Sequence, residues 1–277
     1  MNFLGDRSAF PVKVAAVLSL TSPLLFAQQP VNSTYSVGSK VVVSVTNNYG
    51  PITVKPSSTK QVVVRAVPRS PQVRFEDEQH GNRIELTSRS QNAGDNLAEY
   101  FVQVPSGTWV MLKSSGGTLH VEQISGDIVM EATTGAVEAS LLNAAHLHIK
   151  TLSGPVRLNN IHDSKVEVRS ISGSITMREV TGPKVEAHTG TGRIVYDGNP
   201  GDGGEYLLTT HNGDLDVSVP RDAPVQIKSM SLKQDDLDVP PATPAPNPGN
   251  SIFREGLSSM SRFLIRSFSG KIHLKRP

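Results

Sequence analysis

Between Asp127 and Asp202 the chain repeats itself every 19 residues, four times over, without insertion or deletion. The units run 127–145, 146–164, 165–183 and 184–202, and a fifth, 205–223, follows after two extra residues. A fixed period of about 20 residues is the mark of a solenoid, in which each unit buries its apolar face only by stacking on its neighbours. Few other constraints on a fold are as strong. Any function then lies on an elongated, repetitive surface.

Each unit alternates internally. Numbered 1 to 19, positions 2 and 4 hold Ile128/Met130, Leu147/Ile149, Val166/Val168, Val185/Ala187 and Tyr206/Leu208. Positions 11 and 13 hold Val137/Ala139, Val156/Leu158, Ile175/Met177, Ile194/Tyr196 and Leu215/Val217. All 20 are apolar, whereas positions 3, 5, 12 and 14 contain only three apolar residues, Val129, Val195 and Leu207. A period of two marks a strand buried on one face. It excludes a helical repeat, and an antiparallel meander would not need a constant spacing of whole strand pairs. The pattern predicts an all-β fold, a flattened parallel β-solenoid (β-helix) with 19-residue coils and two short strands per coil.

The turns carry their own signal. Position 9 is glycine in all five units, Gly135, Gly154, Gly173, Gly192 and Gly213, and Gly270 occupies the same corner near the C-terminus. These structural turn glycines imply either a left-handed backbone or no room for a Cβ beside the next coil. The small polar column at position 8 (Thr134, Ser153, Ser172, Thr191, Asn212) can hydrogen-bond turn backbone. Leu142, Ile161 and Val180, at position 16, read as plugs for the far end of the core.

The repeat extends beyond the perfect units. VSVTNNYGPITV (43–54) aligns without a gap to 166–177, and Val62, Val64 and Ala66 follow Val43, Val45 and Asn47 at the same spacing, so the repeat is expected to begin near Lys40. Residues 68–116 are less regular, with strands at 83–88 and 100–105 and a hairpin turn at 80–82. PVQIKSMS (224–231) starts a sixth unit and breaks off. A loop insertion at 232–262 includes a Pro-rich run at 240–249, which cannot form ladders. FLIRSFSGKIHL (263–274) resumes the pattern and is expected to be the final coil, with Lys271, Lys275 and Arg276 discouraging end-to-end pairing. The expected organisation is a signal peptide at 1–27, a lead-in at 28–39 and a single solenoid domain at 40–277.

The address comes from the N-terminus. Arg7 and Lys13 precede the apolar run 14–27, which is too short for a membrane span and ends in Ala27 before two glutamines. A buried helix is the other reading of that run, but a solenoid core has no use for one ahead of its first strand. Export is therefore expected, to the periplasm or the cell surface, with no integral membrane segment in the mature chain. No cysteine follows the run to carry a lipid anchor, and none is present anywhere for a disulfide or thiolate metal site. Removing residues 1–27 leaves 25 basic and 24 acidic side chains, a balance that offers no general attraction to nucleic acid.

No constellation for chemistry emerges. His146 and His148 form an HxH pair, but the next unit places Lys165 and Glu167 beside them rather than a third ligand. Asp214 and Asp216 lack a matching carboxylate on the preceding unit, which offers Arg193 and Val195. Asp235, Asp236 and Asp238 lack the glycine and spacing of a calcium loop. Nucleotide and serine-nucleophile motifs are missing as well. The outward charges at positions 3 and 5 (Lys150, Glu167, Arg169, Glu186, His188) are expected to pair between adjacent coils, and no outward column shows stacked aromatics for sugar. The sequence predicts no catalytic, cofactor or metal residues.

The segments VSVTNNYGPITV and FVQVPSG (101–107), with reiterated SGxIxM-like strands, resemble a bacterial domain-of-unknown-function family labelled "putative adhesin". The chain is also similar to the β-helical head domains of the auto-transporter-adhesin-like group. The resemblance covers most of residues 35–277; its motifs are structural, so it implies a fold and a binding role and brings no catalytic residues. The expected function is an exported, non-enzymatic adhesin or binding module with an envelope polymer or protein as partner. A periplasmic structural or sensory accessory is the alternative, and a polysaccharide lyase or hydrolase the remote one, on fold analogy alone.

Overall fold

The computed structural model describes residues 29–90, 98–231, 236–237 and 260–277, so residues 1–27 and the Pro-rich run lie outside the described residues. All regular elements among the described residues are strands, arranged in one twelve-stranded and one eleven-stranded sheet. The alternation decides which side chains fill the space between them. Every one of the 20 apolar positions of the five units is buried, and the buried apolar residues form one continuous cluster. The plugs Leu142, Ile161 and Val180 are buried with them.

The chain opens with β1 (Val31–Ser36), β2 (Val42–Asn47), β3 (Ile52–Pro56), β4 (Gln61–Pro68), β5 (Val73–His80), β6 (Arg83–Ser90) and β7 (Ala98–Val104). It then alternates between the sheets. The eleven-stranded sheet receives β8 (Trp109–Ser114), β10 (Gly126–Ala132), β12 (Ala145–Thr151), β14 (Lys165–Ser170), β16 (Lys184–Thr189) and β18 (Glu205–Thr210). The twelve-stranded sheet receives β9 (Leu119–Glu122), β11 (Val137–Asn143), β13 (Val156–His162), β15 (Ile175–Val180), β17 (Ile194–Asp197) and β19 (Leu215–Ser218). All these neighbours pair in parallel. Ile128 faces Leu147, which faces Val166, which faces Val185; Val137, Val156, Ile175 and Ile194 align likewise.

Both ends depart from the simple order. At the N-terminal end β2 lies between β8 and β6, and β3 between β9 and β7. Residues 62–66 are not the second coil. β4 runs antiparallel to β7 in the other sheet, because Pro56 ends β3 and the Thr59 amide donates to Ser57 Oγ (3.2 Å) in a turn that reverses the chain. β1 pairs antiparallel to β4, and β5 antiparallel to β6 through the hairpin at 80–83. The lead-in thus supplies an edge strand.

At the other end, β22 (Ser261–Ser267) sits between β18 and β20 (Val225–Ser231), and β23 (Ile272–Lys275) between β19 and β21 (Asp236–Leu237). The C-terminal tail is therefore the penultimate layer, with the broken sixth unit outside it. Side-chain size explains the order. β22 turns Phe263 and Ile265 inward, and the Phe263 ring stacks on Tyr206 at 4.4 Å and meets Tyr196 edge-on at 5.2 Å. β20 offers only Val225, Ile227 and Ser229. Arg276 is not left to repel a neighbour: its Nη2 donates to the carbonyls of Pro220, Arg221 and Ala223.

The glycine corner is set by proximity. None of its six glycines is left-handed; a Cβ on Gly173 would lie 2.1 Å from the Gly154 carbonyl oxygen, and one on Gly270 1.8 Å from that of Gly213. A buried hydroxyl at position 6 locks five of the six approaches; at Gly135 the position is Ala132. Thr189 Oγ1 accepts from the Gly192 amide (3.1 Å) and donates to the Gly173 carbonyl (3.1 Å); Thr210 and Ser267 do the same one layer further on. Asn47 fills this place in β2, donating to the carbonyls of Gly50 and Ala98. Position 8 contributes from outside, as Thr134 Oγ1 donates to the Ser115 carbonyl at 3.1 Å. Left-handed residues instead mark the second corner, at position 15: Leu141, Asn160 and Glu179, with φ of 55°, 52° and 49°. The ladders skip them on both paired strands at once, so each marks a kink, repeated in step from layer to layer, that turns the chain before the plug.

Three substitutions test these corners. Gly173→Ala is expected to lower the urea-unfolding free energy by about 1–3 kcal/mol through overpacking, whereas Leu141→Gly should raise it by up to about 1 kcal/mol by releasing a left-handed Cβ. Thr189→Val leaves the buried Gly192 amide unpaired and should cost about 1–3 kcal/mol, measured the same way.

Candidate binding face

The outward side chains of the eleven-stranded sheet form three columns. The middle one (His148, Glu167, Glu186, Leu207, Leu264) is half-buried, while flanking residues such as Lys165, Arg169, Lys184, Arg262 and Arg266 are exposed. Long side chains therefore wall a shallow trough. Two hollows of it lie over β16, β18, β22 and β20: one of about 480 Å³ has Leu207 and Leu264 as floor and Lys184, Lys228 and Arg262 around it. A second, of about 530 Å³, is bordered by His188, His211, Met230, Arg266 and Phe268.

Charge is unevenly matched on this face. Glu167 receives Arg169 Nε at 2.7 Å along its own strand and His148 Nδ1 at 3.2 Å from the adjacent one. Burial works to raise the Glu167 pKa, yet the charges of His148 and Arg169 and their hydrogen bonds bring it below the ordinary carboxylate value. Lys184 pairs along its strand with Glu186 at 2.6 Å. The expected pairing between coils thus holds for His148–Glu167 and for Lys113–Glu131 (3.6 Å), but Arg169 and Lys184 bond within their own strands. Two positions apart on one face is close enough. Lys150, Lys165, Lys228, Arg262 and Arg266 have no ion pair with any carboxylate of the described residues.

The outer face of the other sheet carries a longer network, although Arg178 and Lys275 on it have no ion pair among the described residues. Lys55, Glu122, His120, Glu138 and Arg157 form a chain of contacts from 2.9 to 3.6 Å. The hydrogen bond from Lys55 is the main cause holding Glu122 below its ordinary pKa. Asp216 is paired with Arg193, and Asp214 accepts the Lys271 amide at 2.8 Å. Both aspartates are thus engaged in holding neighbouring strands. His146 and His148 point outward to Asp127 and Glu167, and no set of three His, Asp or Glu side chains among the described residues converges on one point. Asp235 and Asp238 lie outside the described residues.

An aromatic stack is present where none was expected. The His211 and Phe268 rings lie 4.8 Å apart and within 3° of parallel, with Phe268 55% exposed. Both occupy position 7, at the edge of the trough beside the glycine corner, where Leu152 and Ile171 are also exposed. The sequence reading missed this pair because it tested only the strand columns. The signal was there: Phe268 follows Arg262 by the same six residues that separate His211 from Glu205.

Fold and face together define an all-β protein of two stacked, mainly parallel sheets, with unpaired cations grouped on the outer face of the eleven-stranded sheet. The chain belongs to the Toastrack DUF4097 family, a domain of unknown function whose pattern matches residues 40–235. No curated protein matches it. Among solved structures it is similar to a "putative lipid binding protein" from Parabacteroides distasonis, at 10% identity over 90% of this chain and 95% of the other, with a TM-score of 0.46. A "putative adhesin" from Bacteroides fragilis aligns at 11% identity over 89% and 97% (TM-score 0.40). A "putative cell adhesion protein" from Clostridium sporogenes aligns at 11% over 90% and 100% (TM-score 0.31). These scores are all below 0.5, and family membership stands on the sequence match.

The Glu167 cluster has a pH signature. A carboxylate held below its ordinary pKa stabilises the fold above the ordinary range, and that contribution is lost as pH falls through the folded-state value. Urea midpoints measured from pH 6 down to pH 3 should fall more steeply for the wild type than for Glu167→Gln. The difference at pH 6 is expected to be no more than about 1 kcal/mol, vanishing at the acid end.

Proposed function

We propose that the chain is an exported, non-enzymatic binding module of the bacterial cell envelope, with residues 1–27 as its signal peptide and 40–277 as one solenoid domain of 19-residue, two-strand coils. In this reading the outer face of the eleven-stranded sheet is the binding surface. The observation that carries it is a grouping on this face: Lys228, Arg262 and Arg266 stand close together with no carboxylate partner among the described residues, beside an exposed ring stack. A surface kept soluble without a ligand needs neither feature. Asp214 and Asp216, the two carboxylates weighed for general acid–base chemistry, are committed to strand neighbours.

Protease treatment of intact source cells tests the address, following the chain from about residue 28. Cleavage on intact cells is expected for an adhesin-like module. Protection until the outer membrane is opened would move the assignment to the periplasmic accessory role, and retention in the cytoplasm would refute export.

A further inference from the structure

We propose that the trough over β16, β18, β22 and β20 binds a linear acidic polysaccharide, one bearing carboxylates on a polyhydroxylated chain. The proposal rests on the binding-module reading and assigns its ligand class. Three features of the trough select this chemistry together. Arg262 and Arg266 project from the same side of one strand, four residues and so roughly 13 Å apart, and neither is paired with a carboxylate of the described residues. Planar guanidinium groups spaced along a line suit carboxylates recurring along a polymer, each able to take two parallel hydrogen bonds. Lys228 stands one strand away on β20, opposite Leu264 in register.

The second feature is that carboxylates share the trough. Glu205 is aligned with Arg262, and Glu186 lies two strands from it. A surface for a bare polyanion would exclude them, since like charges repel. A ligand with hydroxyls turns them into acceptors, so acids and bases on one floor point to a molecule that is both anionic and hydroxylated. The third feature is the flat, exposed Phe268 ring held parallel to His211 at the trough's edge, with Leu207 and Leu264 half-buried between the charges. An aromatic face offers the C–H side of a sugar ring an apolar surface of matching shape.

Other polyanions fit less well. Single-stranded nucleic acid needs a series of stacking rings, and the trough has one stack. A lipid surface would engage the apolar side chains exposed along the corner, Leu152, Ile171 and Phe268, and would leave unused the leucines that lie in the floor below charged walls.

The test uses the mature chain with purified polygalacturonate in isothermal titration calorimetry at 0.15 M salt. Amylose, polyphosphate and phosphatidylglycerol-containing vesicles are compared with it. Polygalacturonate is expected to bind and amylose not. The double variant Arg262→Gln/Arg266→Gln should lose at least tenfold in affinity with its melting temperature unchanged, because both side chains are outward. Phe268→Ser should lose several-fold, and Lys55→Gln on the other sheet nothing. Full binding by the double variant, or equal binding to polyphosphate or vesicles, would overturn the proposal. If the chain binds isolated cell envelopes but not polygalacturonate, the binding-module reading survives and the ligand assignment fails. Binding to neither removes both.

Discussion

Peptide stacked on peptide at the glycine corner is the contact on which the structure depends. The Gly154 carbonyl comes within 2.1 Å of where a Cβ would start on Gly173, so the turns meet as bare backbone. That approach fixes the height of each layer. Parallel strands on either side then fall into register, and Val166 meets Leu147 below and Val185 above. Dispersion and burial between the sheets follow from that register. The hydroxyl at position 6 makes the arrangement tolerable, since a buried corner would otherwise strand amides and carbonyls with no water to satisfy them.

A stack built this way has a problem at each end, because its last layer exposes edge strands and half a core. The chain handles both ends by burying a layer that is early or late in sequence beneath a different segment. β2 and β3 are covered by β6 and β7, which antiparallel strands cover in turn. β22 and β23 are covered by β20 and β21. At the C-terminal end the outermost strands, β20 and β21, come from the middle of the chain's last stretch, whereas at the other end β1 is the edge of the twelve-stranded sheet. At the N-terminal end, β5 carries Glu76, Asp77 and Glu78, charges that discourage another sheet from docking there.

The central layers were legible because period and alternation are local properties of sequence, and each inward residue was identifiable before any contact was known. The ends were not, because their order depends on competition between segments. Val225 and Ile227 continue the spacing beyond Tyr206 and Leu208 as well as any true coil would, but Phe263 and Ile265 fill the space against Tyr196 and Tyr206 better. Val62, Val64 and Ala66 alternate correctly yet lie in the opposite sheet, a change of direction set at Pro56. At the corners, glycine was visible in the sequence as a constraint, but the left-handed positions fell to Leu141, Asn160 and Glu179, residue types that give no sign of it. The Phe268–His211 stack needed the tail in register before its rings could be seen as neighbours. Arg276 was expected to discourage end-to-end pairing, and only the fold brings it to the carbonyls of the 220–223 loop.

Function follows the same geometry, since a layered stack turns each outward position into a column, and the columns nearest β22 combine unpaired arginines with half-buried leucines. All of that requires the corner to be closed. Hydrogen–deuterium exchange at the corner glycines tests it most directly. The amides of Gly154, Gly173, Gly192, Gly213 and Gly270 each donate to a buried hydroxyl three residues earlier, at 2.8–3.1 Å, and should exchange as slowly as strand amides such as that of Val168. Exchange at those five sites as fast as at Gly81, in the open hairpin turn, with the strands still protected, would contradict the account.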